Sequence, residues 1–173
     1  MAAICAIDAR AIKRGGMMPS SRRQAAKQAG APAAGHRHAK GDPMARQAVS
    51  TDQAPAALGP YSQAIAAGGF VFCSGTAGID PATAVAPDGI EAQTEQALQN
   101  LATILKAAGA SMDHLVKVTI FYTNVDDFTT LNEVYARHMP DPPPARSAPA
   151  NVKLPHGLLV SIDAIAVIPE KVG

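Results

Sequence analysis

A few residues of this chain have both the type and the setting for chemistry. Asp163 lies in the run 158–168, where Ser161 is the one other polar residue, so an ionised carboxylate there needs partners or water. Arg146 follows the stiff approach Pro142-Pro143-Pro144-Ala145. A planar, permanently charged fork on a preset backbone suits capture of a carboxylate. Ser74-Gly75 ends a β-prone run, where glycine lets backbone N–H groups come close to a ligand. Tyr61 follows Gly59-Pro60, and Asn132 sits between Leu131 and Glu133 in a helical stretch, where asparagine is held by a local hydrogen bond if at all. Each also has a plain structural reading: exposed strand carboxylate, surface ion pair, turn glycine, rim tyrosine, bonded helix asparagine. Taken singly, the plain reading is the stronger one.

Other chemistries find no support in the residue pattern. His114, His138 and His156 are scattered without metal-ligand spacing, and His36-x-His38 lacks the carboxylate or thiol cluster that would complete a site. Neither a metal nor a cofactor is expected. Cys73 falls inside an apolar strand and reads as an inert small hydrophobe. With Cys5 as its sole counterpart there is no disulfide framework, and a reducing, cytoplasmic setting is the default. The glycine-rich, Cys-x-x-Cys and GxSxG signatures are missing. The longest apolar stretch, 64–73, is broken by Gly68-Gly69 and falls short of the ~20 residues that span a bilayer, so no membrane partner is expected.

The net charge of +1 conceals two opposed segments. Residues 1–43 carry eight basic residues against two acids, +6; residues 44–173 carry seven against twelve, −5. An acidic body with no aromatic-interleaved basic face argues against nucleic acid as a partner. Every Tyr, Phe, Leu and Val lies after residue 44, so residues 1–43 cannot build a core and are expected to be a disordered basic extension. Three origins fit it: an Arg-rich organellar targeting segment, an arm for anionic surfaces, or sequence upstream of a true start at Met44. Gly15-Gly16 and Ala31-Pro-Ala-Ala-Gly35 interrupt the amphipathic helix a targeting segment would use, which favours the third.

The elements that must position these residues are legible in 44–173. Runs 61–67 and 70–74 flank Gly68-Gly69 as a hairpin with a two-residue turn. Ile90, Thr94, Ala97, Leu98, Leu101, Ile104, Leu105 and Ala108 form one stripe of a helix that Gly109 ends. Residues 114–123 are a strand placing Val116, Val118, Ile120 and Tyr122 on one face. Asp126 can cap a second helix to about Met139, burying Phe128, Leu131, Val134 and Tyr135, before the prolines stop it. Runs 145–152 and 158–168 follow as strands, the latter aligning Leu158, Val160, Ile162, Ala164 and Ala166. The order ββ-α-β-α-ββ points to an α+β sandwich, two helices covering one face of a mixed sheet. The other face then holds Leu115, Phe121, Leu159, Ile165 and Val167, too apolar for open water, and a second chain is expected to cover it. Thirty-six alanines make the core light in large side chains, which also favours subunit contacts.

Taken in order, Ala54-Pro55-Ala56-Ala57-Leu58-Gly59-Pro60-Tyr61-Ser62-Gln63-Ala64, Phe72-Cys73-Ser74-Gly75, Asn132-Glu133-Val134-Tyr135, Pro144-Ala145-Arg146-Ser147 and Ile162-Asp163-Ala164-Ile165-Ala166-Val167 resemble the reactive intermediate deaminase (Rid, formerly YjgF-like) family over about residues 44–168. The resemblance implies a chorismate-mutase-like α+β fold assembled as a homotrimer. It implies hydrolysis of enamine and imine intermediates, such as 2-aminoacrylate, to 2-keto acids and ammonia without a cofactor. By the same resemblance Arg146 clamps the substrate carboxylate, while Tyr61, Ser74, Gly75 and Asn132 line a cleft between subunits. Asp163 and the backbone carbonyl of Ala148 would position the attacking water. The chain departs from the commonest members in having Asp163 for Glu and Ala148 for Cys, and a side chain one methylene shorter withdraws its carboxylate by ~1.5 Å. An alternative from another class is a non-catalytic trimeric binder of keto acids using the same cleft.

Overall fold

The structure is a computed structural model describing residues 45–170. The expectations for residues 1–43, with Cys5, His36 and His38, fall outside the described residues. In chain order the elements are β1 (Gln47–Val49), β2 (Ala64–Ala67), β3 (Phe70–Ala77), α1 (Ile90–Ala107), β4 (Leu115–Tyr122), α2 (Phe128–His138), β5 (Ala145–Ser147) and β6 (Val160–Val167). They make one six-stranded sheet in the order β1-β2-β3-β6-β4-β5. Neighbouring strands are antiparallel except the parallel pair β4–β5, so the sheet is mixed. Helix α1 packs on β3 and β6, and α2 packs on α1. This is the α+β arrangement the alternating patterns predict.

Local sequence explains the best-formed parts. Gly68 and Gly69 take φ of 57° and 79°, the doubly positive pair that a tight hairpin turn requires. Strict alternation along β6 buries Val160, Ile162, Ala164 and Ala166 under the helices and turns Ser161, Asp163, Ile165 and Val167 to the other face. The α1 stripe buries Ala97, Leu98, Leu101, Ile104 and Leu105. Three buried polar residues sit on the same helix. The Asn100 carboxamide donates to the Ala77 and Ile79 carbonyls at 2.9 and 2.8 Å, and Gln93 donates to Pro87 O at 3.0 Å while accepting from Leu159 N–H at 2.8 Å. Thr94 donates to the Ile90 carbonyl at 2.7 Å. Satisfied in this way they tie the ends of β3 and β6 to α1 rather than destabilising the core.

Several expectations need correction. A short edge strand, β1, precedes the hairpin and was not expected. The first hairpin strand begins at Ala64 rather than Tyr61, because a tight turn, Tyr61 N–H to Gly59 O at 2.8 Å, precedes it. Run 145–152 is a strand only to Ser147: Pro149 has no N–H for a ladder, and Asn151 takes a positive φ of 60°. On β4 a register slip between Leu115 and Lys117 leaves Val116 as an extra residue. That bulge turns Leu115 under the helices and leaves Val116 exposed. Asp126 does not cap α2; Asn124 accepts the Asp126 N–H at 3.1 Å at the start of the preceding 3-10 turn, and Phe128 is exposed. The sheet face away from the helices is apolar as expected, with a changed membership. Leu115 leaves it, while Phe70 and Phe72 join Ile165 and Val167, 41% and 44% exposed.

Candidate active site

A hollow of about 280 Å³ lies where the ends of β3 and β6 meet the loop before β2. Tyr61, Ser74 and Gly75, singled out from sequence, all line it. Its opposite wall is the Leu154-Pro155-His156 turn, and Ser161 of β6 also lines it. The β3 ladder slips between Cys73 and Thr76, so Ser74 and Gly75 form a bulge at the cavity. A Cβ on Gly75 would stand 2.8 Å from the Ser161 hydroxyl, so glycine keeps this approach open. The Ser74 hydroxyl donates to the Ser62 carbonyl at 2.7 Å, and the Tyr61 hydroxyl accepts the Leu58 N–H at 3.0 Å while keeping its own proton available. Gln63, buried behind them, accepts from Thr51 N–H at 2.7 Å and donates to the Thr51 and Pro55 carbonyls at 3.0 and 2.8 Å. These bonds hold the cavity wall.

Arg146 occupies a different place. It pairs with Val118 across β4–β5, so its side chain lies on the helix-covered face at the sheet edge. Its Nη1 donates to Asn132 Oδ1 at 2.7 Å, and the guanidinium lies 4.7 Å from the Tyr135 ring centre and 5.9 Å from that of Phe128. Asn132 therefore anchors the arginine rather than lining the cavity. The plane stacked on rings and bonded at one nitrogen is fixed in orientation, with its other donors available to an anion. Beside it the Tyr135 hydroxyl is buried without a hydrogen-bond partner among the described residues. Burial pushes that hydroxyl's pKa up, and the Arg146 charge opposes the shift.

One chain does not join these two regions. From β3 to β5 the order is β3-β6-β4-β5, three strand spacings or about 14 Å. Asp163 faces the open side of the sheet opposite Thr119, two residues along from Ser161, and neither it nor Ala148 lines the cavity. Among the described residues no side chain bonds or pairs with the Asp163 carboxylate. Cys73 is buried, and desolvation together with the nearby Asp163 charge raises its thiol pKa to about 12, which agrees with the inert role expected for it. The residues sequence reasoning missed at the site are Ser161 and His156 at the cavity, and Tyr135 under the arginine. Alternation of β6 places Ser161 and Asp163 on the same face, and it cannot say which reaches the cavity.

The family model described as Endoribonuclease L-PSP matches residues 51–168. Reactive Intermediate Deaminase A, chloroplastic, of Arabidopsis thaliana is 47% identical over 124 residues, 71% of this chain and 66% of that protein. The mouse 2-iminobutanoate/2-iminopropanoate deaminase is 43% identical over 123 residues, covering 70% of this chain and 91% of its own length. Among solved structures, RidA from an Antarctic Psychrobacter aligns at a TM-score of 0.69 with 43% identity over 70% of this chain and 99% of that one. TdcF of E. coli, solved with bound serine, aligns at 0.66 with 36% identity over 70% and 98%. A model matching two thirds of the chain, and relatives carrying deaminase names across nearly the whole described body, lead to one assignment: the chain belongs to the Endoribonuclease L-PSP family, the Rid proteins its motifs resemble.

Proposed function

We propose that this chain is a hydrolytic deaminase of small enamine and imine acids, converting a C=N compound and water to a 2-keto acid and ammonia. The observation carrying the proposal is the Arg146 guanidinium, fixed by Asn132, Tyr135 and Phe128 with donors left for a carboxylate. It acts with a second copy of the chain. Arg146 of one copy holds the carboxylate while Tyr61, Ser74 and Gly75 of the next receive the reacting carbon. The exposed Phe70, Phe72 and Val167 on the free sheet face supply the apolar area such an assembly buries, and a chorismate-mutase-like homotrimer fits it. Asp163 and the Ala148 carbonyl lie outside the single-chain cavity, so their part in positioning water depends on that second copy. The serine bound by a structural relative is a small amino acid with the same carboxylate handle.

Holding substrate and water in one geometry is the main catalytic demand, because imine carbon is electrophilic once its nitrogen is protonated. The test is to generate an imine with an amino-acid oxidase, trap it with semicarbazide, and follow its loss. The wild-type chain accelerates the loss, and Arg146→Ala reduces kcat/KM about 100-fold or more. No acceleration, or equal activity in the variant, overturns the deaminase reading. A melting temperature raised by a 2-keto acid without turnover would instead identify a keto-acid binding protein. RNA cleavage, which the family description names, has little electrostatic support in a body of charge −5.

A further inference from the structure

Resting on the deaminase reading, we infer that His156 is the group that moves protons in the reaction. In imine hydrolysis a C–O bond forms as water attacks, the C=N π pair passes to nitrogen, and the water gives up a proton. The C–N bond then breaks, ammonia leaves with a proton gained, and the hydroxyl proton departs to give the carbonyl. For a substrate that enters with its nitrogen protonated, one group that takes the first proton, returns it to the leaving nitrogen and then takes the hydroxyl proton balances the sequence.

The cavity offers few candidates. Among the described residues lining it, His156 and Tyr61 are the only titratable ones; no carboxylate, lysine or arginine lines it. The Ser74 and Thr76 hydroxyls are engaged with the Ser62 and Ser74 carbonyls at 2.7 and 3.0 Å. Of the side chains present, an imidazole is the type that exchanges a proton between pH 5 and 8. The backbone presents His156 in a tight turn. It takes φ 57° and ψ 24° in the turn between Pro155 and Gly157, a left-handed conformation in which Asn, Asp and His are the enriched non-glycine residues. Among the described residues its ring makes no hydrogen bond, so both ring nitrogens are available. The nearest charged neighbour in sequence, Lys153, does not line the cavity. An imidazole with both ring nitrogens available, on the wall of a cavity whose one other titratable side chain is Tyr61, is explained by proton transfer.

The experiment measures kcat/KM for in situ imine from pH 5 to 9 in the wild type, His156→Asn, His156→Gln and, as a control on α2, His138→Gln. Asn tolerates the left-handed backbone, and the Gln variant guards against an effect peculiar to it. Wild type and the control share a limb of falling activity on the acid side. Both His156 variants lose that limb, fall about 100-fold at pH 7.5, keep the thermal shift with a 2-keto acid, and recover part of the rate with added free imidazole. A loss confined to folding or binding would leave the pH profile unchanged. Wild-type turnover with superimposable variant rates and profiles overturns the role of His156 alone. A wild type that does not turn over imine overturns the deaminase reading and this inference together.

Discussion

Arg146 and the Tyr61–Ser74–Gly75 cavity belong to the same sheet, and their surroundings differ in kind. Arg146 is provided for within its own chain: a carboxamide at 2.7 Å and an aromatic ring at 4.7 Å set its plane before any ligand arrives. The cavity is built from turns and a bulge, its hydroxyls partly engaged, with no charge of its own to hold an anion. On the proposed reading, a finished anion receptor and an unfinished reaction chamber stand about three strands apart. On that reading neither region makes a site alone, and the exposed Phe70 and Phe72 of the open sheet face are where a second copy would dock.

Subunit mixing tests that division most severely. Arg146→Ala and Gly75→Val each remove one region, the second by driving side-chain atoms toward the Ser161 hydroxyl. Refolded separately, both should fall below about one hundredth of wild-type kcat/KM. Refolded together, random assembly of a cyclic oligomer leaves about a quarter of the sites with both regions intact, and activity returns accordingly. Failure of the mixture to recover would place both halves in one chain. A smaller effect is expected on the receptor side: Asn132→Ala frees the guanidinium and lowers kcat/KM about 10-fold, with Tm within about 2 °C of wild type. An equal loss in Tm would recast Asn132 as structural.

The smallest effect concerns stability at the far end of α2. His138 bonds Glu95 at 2.9 Å, with Arg137 3.9 Å from the same oxygen, and the His138 hydrogen bond is the chief cause of a Glu95 pKa held below its ordinary value. A carboxylate depressed on folding contributes stability above its unfolded pKa and loses it as pH falls through the folded one. Because the pair is partly exposed, Glu95→Gln should cost less than about 1 kcal/mol at pH 6. Melting curves at pH 6 and pH 3 should therefore converge between variant and wild type as acid removes the interaction. A difference that persists at pH 3 would show that the bond does not act through charge.

Much of this architecture was legible in the sequence. Gly68-Gly69 announced the hairpin, the α1 stripe matched its buried side nearly residue for residue, and β6 buried the alternating set expected of it. Such signals are local: a turn needs positive φ at two adjacent positions, and periods of 3.6 and 2 follow from backbone geometry. Expectations failed where partners decide. Val116 was assigned inward by alternation, and the bulge that turns it outward exists only because β6 offers one residue fewer. Strand β1, three residues long, carries too little pattern to announce itself. The bond from Arg146 to Asn132, fourteen residues away in sequence, likewise has no local signal.

By itself the sequence determined the order of the elements after β1, the faces of α1 and β6, the family, and the residue types available for imine chemistry, because each rests on composition, spacing or motif. Tertiary structure alone decided that Arg146 is stacked and anchored on the helix side. It also decided that Ser161 and His156, not Asp163, border the single-chain cavity, and that the two regions stand apart. The physical reason is register: a shift of one residue between strands changes which side chain faces which space, and register is set by distant partners that no local pattern encodes.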